Sequence, residues 1–187
     1  MRYKGHQMKF VSIIIGSRSD YEIACEASKI LDSFGVPYEL IISSAHRSPQ
    51  RTAQYVSDAS KRGAEIFICM AGMAAHLAGA VAANTIKPVI GVPMPGSAID
   101  GIDALYSTVQ MPSGIPVATL AIGKAGAKNA AYLSVQMLAL NNESLSAKLA
   151  EDRAKQATNL EEDSKKVEVL LKDKSWKPIL KLMSFAA

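Results

Sequence analysis

The stretch FVSIIIGSRSD, residues 10–20, decides the fold. Residues 10–15 are apolar and β-branched at nearly every position and end at Gly16, the pattern of a parallel strand buried on both faces rather than of a half-exposed one. From Tyr21 the period changes. Ile23, Ala24, Ala27, Ile30, Leu31 and Phe34 recur at helical spacing, and Gly35 supplies the stop. Working outward, the same alternation repeats. Residues 36–42 read as a second strand; Ser48 and Pro49 then offer an N-cap and a first-turn proline for a helix to about Arg62, closed by Gly63. Residues 65–70 read as a third strand, followed beyond Gly72 by an alanine-rich helix to about Asn84 and by a fourth strand at 88–92. Two prolines and two glycines make 93–101 a long loop before a short helix at 103–109. Pro112, Gly114 and Pro116 punctuate a second loop, and then come a fifth strand at 117–122 and a helix at 127–140. Five strands with intervening helices predict an open, doubly wound parallel sheet of the α/β class.

Length and composition bound the rest. At 187 residues the chain fits one domain with a proper core, about residues 10–140, extended by a C-terminal helical arm and tail over about 141–187. Leu145, Leu149, Ala154, Val167, Leu170 and Leu171 can form the stripe of that arm; over 144–155 it is expected to pack on a neighbouring subunit, and Trp176, Ile179, Leu180, Leu182, Met183 and Phe185 form a terminal apolar patch. No apolar run is long enough for a membrane span, because Gly72, His76 and Gly79 break the one at 66–83. The basic segment 1–9 is followed by no signal-peptide pattern. Cys25 and Cys69 lack metal-ligand spacing and suit buried thiols of a reducing cytoplasm. The formal charge of +4 is modest and its lysines are scattered, so no nucleic acid partner is expected, while a small phosphorylated anion remains compatible.

In an open parallel sheet ligands bind beyond the carboxyl ends of the strands. Three turns lie there: Gly16 to Asp20, Ser43 to Arg47, and Ala71 to His76, which hold two of the chain's three histidines. The first turn lacks both the dinucleotide fingerprint and the lysine of a triphosphate loop, yet Gly16, the Ser17 and Ser19 hydroxyls and the following helix start can cradle an anion. Ser19 or Asp20 could equally serve only to cap that helix, and an aspartate also accepts from sugar hydroxyls. In the second turn His46 can exchange a proton near neutral pH while Arg47 can grip a phosphate with two parallel hydrogen bonds. His76 falls at or near a helix start. With no third ligand at suitable spacing the two histidines do not make a zinc site, and no metal is expected.

The segments GSRSD at 16–20, SAHRSP at 44–49, AAHLAG at 74–79, GIDALYSTVQMPSGIPVATLAIG at 101–123 and AGAKNAAYL at 125–133, in this order, resemble the class I PurE family of N5-carboxyaminoimidazole ribonucleotide mutases. The resemblance spans about residues 10–155. It implies a three-layer α/β/α, flavodoxin-like fold, a homo-octamer, a small ribonucleotide substrate, and no cofactor. The implied reaction moves a carboxyl group from the exocyclic nitrogen to ring carbon C4, with His46 in the place of the proton-shuttling histidine. Ser17 and Arg47 match the phosphate contacts and Asp20 the ribose contact. Ser44, Ala45, Gly72, Ala74 and Ala75 would line a small pocket that retains CO2, with His76 at its wall. An arginine at position 47 marks the mutase class of the family, and a lysine there the class that takes up CO2 directly. Two residues depart from the pattern: Met73 stands where many members have glycine, and Ala78 where many have proline.

Two other readings use the same residues. One is a direct aminoimidazole ribonucleotide carboxylase. The other is a flavodoxin-like nucleotide- or flavin-binding module; its phospho-receiver version is disfavoured because strand three ends in Met70-Ala71-Gly72 rather than in an aspartate.

Overall fold

A computed structural model describes residues 8–168 of the chain. Segment 1–7 and the terminal residues Leu170, Leu171, Trp176, Ile179, Leu180, Leu182, Met183 and Phe185 lie outside the described residues. Five parallel strands, β1 (Phe10–Ile15), β2 (Tyr38–Ile42), β3 (Ala64–Ala71), β4 (Val89–Pro93) and β5 (Ala118–Thr119), form one sheet in the order β2-β1-β3-β4-β5. The helices are α1 (Tyr21–Phe34), α2 (Pro49–Arg62), α3 (Leu77–Ala82), α4 (Ile102–Val109), α5 (Gly123–Ala139) and α6 (Glu143–Val167).

β1, β3 and β4 are largely apolar because both their faces are covered, with Ser12 and Glu65 the polar exceptions. Val11, Ile13 and Ile15 of β1, Ile68 and Met70 of β3, and Ile90 and Val92 of β4 face one core with Leu31 of α1 and Ala131 and Val135 of α5. Phe10 and Ile14, Phe67 and Cys69, and Val89 face a second core with Val56 and Ala59 of α2 and Val81 of α3. Successive strand residues therefore alternate between two buried layers, the period of two expected of a pleated sheet. Burial pushes the Cys69 thiol pKa up, whereas Cys25 in α1 is only half-buried.

The ends of α1 and α2 follow the sequence signals, with one exception, whereas α5 starts at Gly123, four residues ahead of the expected 127. Gly35 and Gly63 end α1 and α2 in the left-handed conformation, at φ 69° and 112°. Pro49 opens α2 at its first position, but Ser48 does not cap it with its side chain; the hydroxyl instead donates back to the Ser44 carbonyl at 3.1 Å.

Two elements are shorter than the sequence suggests. The alanine-rich helix begins only at Leu77, since Met73 adopts φ 55° and the Ala75 N–H bonds the Met73 carbonyl at 2.8 Å, a turn that consumes 73–76. Ala78 is the second residue of α3, where the N–H has no partner within the helix; alanine and the family's proline are both compatible there. The fifth strand is two residues long instead of six. Gly126 of α5 sits so close over Ala121 that an added Cβ would lie 1.7 Å from the Ala121 carbonyl oxygen, so the chain turns into α5 directly after a minimal edge strand.

The described chain divides after Leu149. Within the first unit, α6 is seated by Leu145, 7% exposed, by the partly buried Leu149, and by Lys148, whose ammonium donates to the Phe34 carbonyl at 3.3 Å. In the second unit α6 continues to Val167 with Leu160 and Val167 exposed. Among the described residues no helix is long and apolar enough to cross a membrane.

Candidate active site

The chain leaves β1 to build β2 on one side of it and later places β3 on the other, so the turns after β1 and β3 diverge and open a crevice at the carboxyl edge of the sheet. A cleft of about 1070 Å³ occupies it. Ser17, Asp20, Ser44, Ala45, His46, Arg47, Gly72, Ala74, Ala75 and His76, from three turns, all line this one cleft.

The first turn is a short 3₁₀ segment, Arg18–Asp20, closed on itself. The Ser17 N–H donates to Asp20 Oδ2 at 3.0 Å and the Ser19 N–H donates to Ser17 Oγ at 3.2 Å, a reciprocal capping box, while the Ser17 and Ser19 hydroxyls pair with each other. Asp20 thus closes this turn from its third position but makes no side-chain cap on α1, and the residue, 9% exposed, also lines the cleft. Desolvation raises its pKa above the ordinary aspartate value, against the opposing hydrogen bonds from Ser17 and Ser19. The two Asp20 oxygens accept from the Ser17 N–H and the Ser19 hydroxyl, and each keeps a lone pair that a ligand hydroxyl can reach from the cleft.

The second turn continues β2. The Ser43 N–H still bonds the Ile15 carbonyl at 2.9 Å, and the chain then bends through Ala45, His46 and Arg47 into α2. Ser44 Oγ accepts from the Arg47 N–H at 3.2 Å and from Arg47 Nε at 3.4 Å, folding the guanidinium back along its own turn. Arg47 then reaches the first turn, donating to the Gly16 carbonyl at 3.3 Å. His46 and Arg47 are both exposed, at the mouth of the cleft.

The third turn, after β3, brings His76 against His46, with ring centroids 5.4 Å apart and planes 17° from parallel. Ala75, 3% exposed, and Ala45, 9% exposed, give that corner small apolar walls. Among the described residues no three His, Cys, Asp or Glu side chains gather as a metal site would require.

The cleft also contains residues that reading the first three strand ends does not find: Met94, Pro95 and Gly96 after β4, Ile23 of α1 and Leu77 of α3. The strand-end rule, extended to β4, would have pointed to the first three. They lie close to the third turn, since a Cβ on Gly72 would stand 3.4 Å from the Met94 carbonyl oxygen. Nothing in the local sequence marks Ile23 or Leu77, whose apolar type serves core and cleft alike.

With this geometry in hand, the likenesses to known proteins are specific. Residues 10–159 match the model of the AIR carboxylase family. The chain is 48% identical over 158 residues to an N5-carboxyaminoimidazole ribonucleotide mutase of Pyrococcus horikoshii, covering 84% of this chain and 88% of that one. It is 51% identical over 143 residues to the protein of that name from Bacillus subtilis, covering 76% and 88%. The crystal structure of Treponema denticola PurE superposes with a TM-score of 0.77 at 28% identity, covering 86% of this chain and 99% of that one. A family match across the whole sheet and its cleft, together with relatives near half identity, leaves one conclusion: the chain belongs to the AIR carboxylase family.

Proposed function

We propose that this protein is an isomerase of purine biosynthesis that converts N5-carboxyaminoimidazole ribonucleotide to 4-carboxyaminoimidazole ribonucleotide, with His46 as the proton carrier. The observation that carries the reading is the convergence on one cleft of His46, Arg47, Ser17, Asp20 and Gly72, in a chain whose curated relatives bear the mutase name.

The roles follow from where the groups stand. Arg47 and Ser17, joined through the Gly16 carbonyl, hold the phosphate at the mouth, and Asp20 accepts from the ribose hydroxyls. The ring then points between His46 and the alanine-lined corner. The His46 imidazolium gives its proton to the exocyclic nitrogen as the N–C bond breaks and CO2 leaves. Ring carbon C4 attacks the retained CO2, forming the new C–C bond, and the neutral imidazole takes the C4 proton, which restores the aromatic ring and the starting charge of the enzyme. Ser44, Ala45, Gly72, Ala74 and Ala75 confine the CO2, with the His76 ring as a wall.

The protein acts in the cytoplasm as a homo-oligomer, an octamer by family resemblance. Ile102, Tyr106 and Val109, at 42%, 62% and 48% exposure on α4, offer an apolar face for subunit contact. The deciding experiment replaces His46 with Asn and follows each substrate separately, N5-carboxyaminoimidazole ribonucleotide or aminoimidazole ribonucleotide with CO2. Turnover of the first substrate should fall by about 10³-fold or more. Full activity in the variant would remove the mechanism, and wild-type turnover of only the second substrate would make the protein a direct carboxylase.

A further inference from the structure

Beneath the second turn lies a polar arrangement that the reaction itself does not use. Ser43 and Thr52, 1% and 2% exposed, pair their hydroxyls at 2.8 Å inside the core. Thr52 Oγ1 also donates to the Ser48 carbonyl at 3.2 Å, so its single proton is spent there and Ser43 must be the donor within the pair. The Ser48 N–H and hydroxyl both donate to the Ser44 carbonyl, at 2.9 and 3.1 Å. These bonds run from Ser43 to Thr52, to Ser48, to Ser44, and back to Ser43 through the chain. The ring encloses the turn that carries His46 and Arg47.

Helix formation does not call for it. The Thr52 N–H already bonds the Ser48 carbonyl at 3.1 Å as the first helical bond of α2, and Pro49 presets the helix start. The Thr52 hydroxyl adds a second donor to a satisfied carbonyl and reaches across the turn to the strand end. A valine of the same shape would fill the space, and a buried hydroxyl pair yields little net stability over an apolar pair. What the pair adds is a fixed distance between the end of β2 and the start of α2.

We propose that Thr52 is a positioning residue: through Ser43 and Ser48 it fixes the turn that presents His46 and Arg47 to the cleft. The inference rests on the mutase reading for its activity arm only. Thr52→Val should leave a folded protein whose kcat/KM is about tenfold lower, because a small displacement of a proton-carrying group costs at least that much. Thr52→Ser should restore it to within about twofold, since that hydroxyl can re-form both bonds.

The double variant Ser43→Ala/Thr52→Val separates position from stability. It leaves no buried donor unpaired, so its thermal midpoint should recover toward wild type while its kcat/KM stays low. In 1H–13C spectra of full-length protein without substrate, the His46 imidazole resonances should shift in both valine-containing proteins. A folded Thr52→Val with wild-type kcat/KM and unmoved His46 resonances overturns the proposal, as does activity that returns in step with stability in the double variant. If Thr52→Val does not fold, the double variant carries the same two readouts. If the wild type fails to turn over the N-carboxylated ribonucleotide, the mutase reading falls, and the resonances still decide the role of Thr52.

Discussion

The guanidinium of Arg47 donates a 3.3 Å hydrogen bond to the carbonyl of Gly16, a residue 31 positions earlier. One side chain thus joins the turn after β2 to the turn after β1, between which the proposed phosphate contacts Ser17 and Arg47 lie. Its other anchor, Ser44 Oγ, accepts from Nε of the same group.

Arg47→Lys tests that link. A lysine keeps the charge but cannot hold Ser44, Gly16 and a phosphate from one planar fork. We expect KM for the ribonucleotide to rise about tenfold with a smaller change in kcat, measured by steady-state kinetics. An unchanged KM would count against the phosphate role.

Met73 pays a conformational penalty in the left-handed region, at φ 55°, while its side chain is 67% exposed over the cleft. The left-handed conformation costs an L-residue about 1–2 kcal/mol, and glycine gives back about 0.5–1 kcal/mol through the entropy of its unfolded chain. Met73→Gly should therefore raise the thermal midpoint by about 1–3 °C, and the β-branched Met73→Val should lower it. A lower midpoint for the glycine variant would show that the Met73 side chain supplies contacts worth more than the strain.

Glu39 of β2 accepts from Arg62, at the end of α2, through both carboxylate oxygens, and from the Tyr55 hydroxyl at 2.9 Å. The Arg62 guanidinium holds the Glu39 carboxyl below its usual range, while burial pushes the Tyr55 phenol up to about 12 and keeps it a donor. A carboxylate with a depressed folded pKa stabilises the protein above its unfolded pKa, and that contribution disappears as pH falls through the folded value. Glu39→Gln should lower the thermal midpoint at pH 7 by about 2–4 °C, with the gap to wild type closing below about pH 4. A gap that stays constant from pH 7 to pH 3 would mean that the ion pair contributes nothing.

Much of this was legible in the chain, and for identifiable reasons. Strands buried on both faces are apolar at nearly every position, so the runs at β1, β3 and β4 announced themselves despite Ser12 and Glu65. Gly35 and Gly63 marked helix ends because the left-handed conformation there favours a residue without Cβ. The strand-end rule then selected the three turns, and the ten residues that the family resemblance named within them line one cleft.

What local sequence could not show was which of several possible contacts the packed chain would make. Residues 117–122 have the composition of a strand, yet β5 stops at Thr119 because α5 closes over Ala121 at Gly126. Ser48 has the type and position of a cap, yet its hydroxyl turns back to Ser44. Composition and period determined the alternation of elements, since burial acts on each residue's own chemistry. Only the packed structure decided that His46 would stack on His76 and that Thr52 would meet Ser43, because those distances are set by how two layers of helices settle on one twisted sheet.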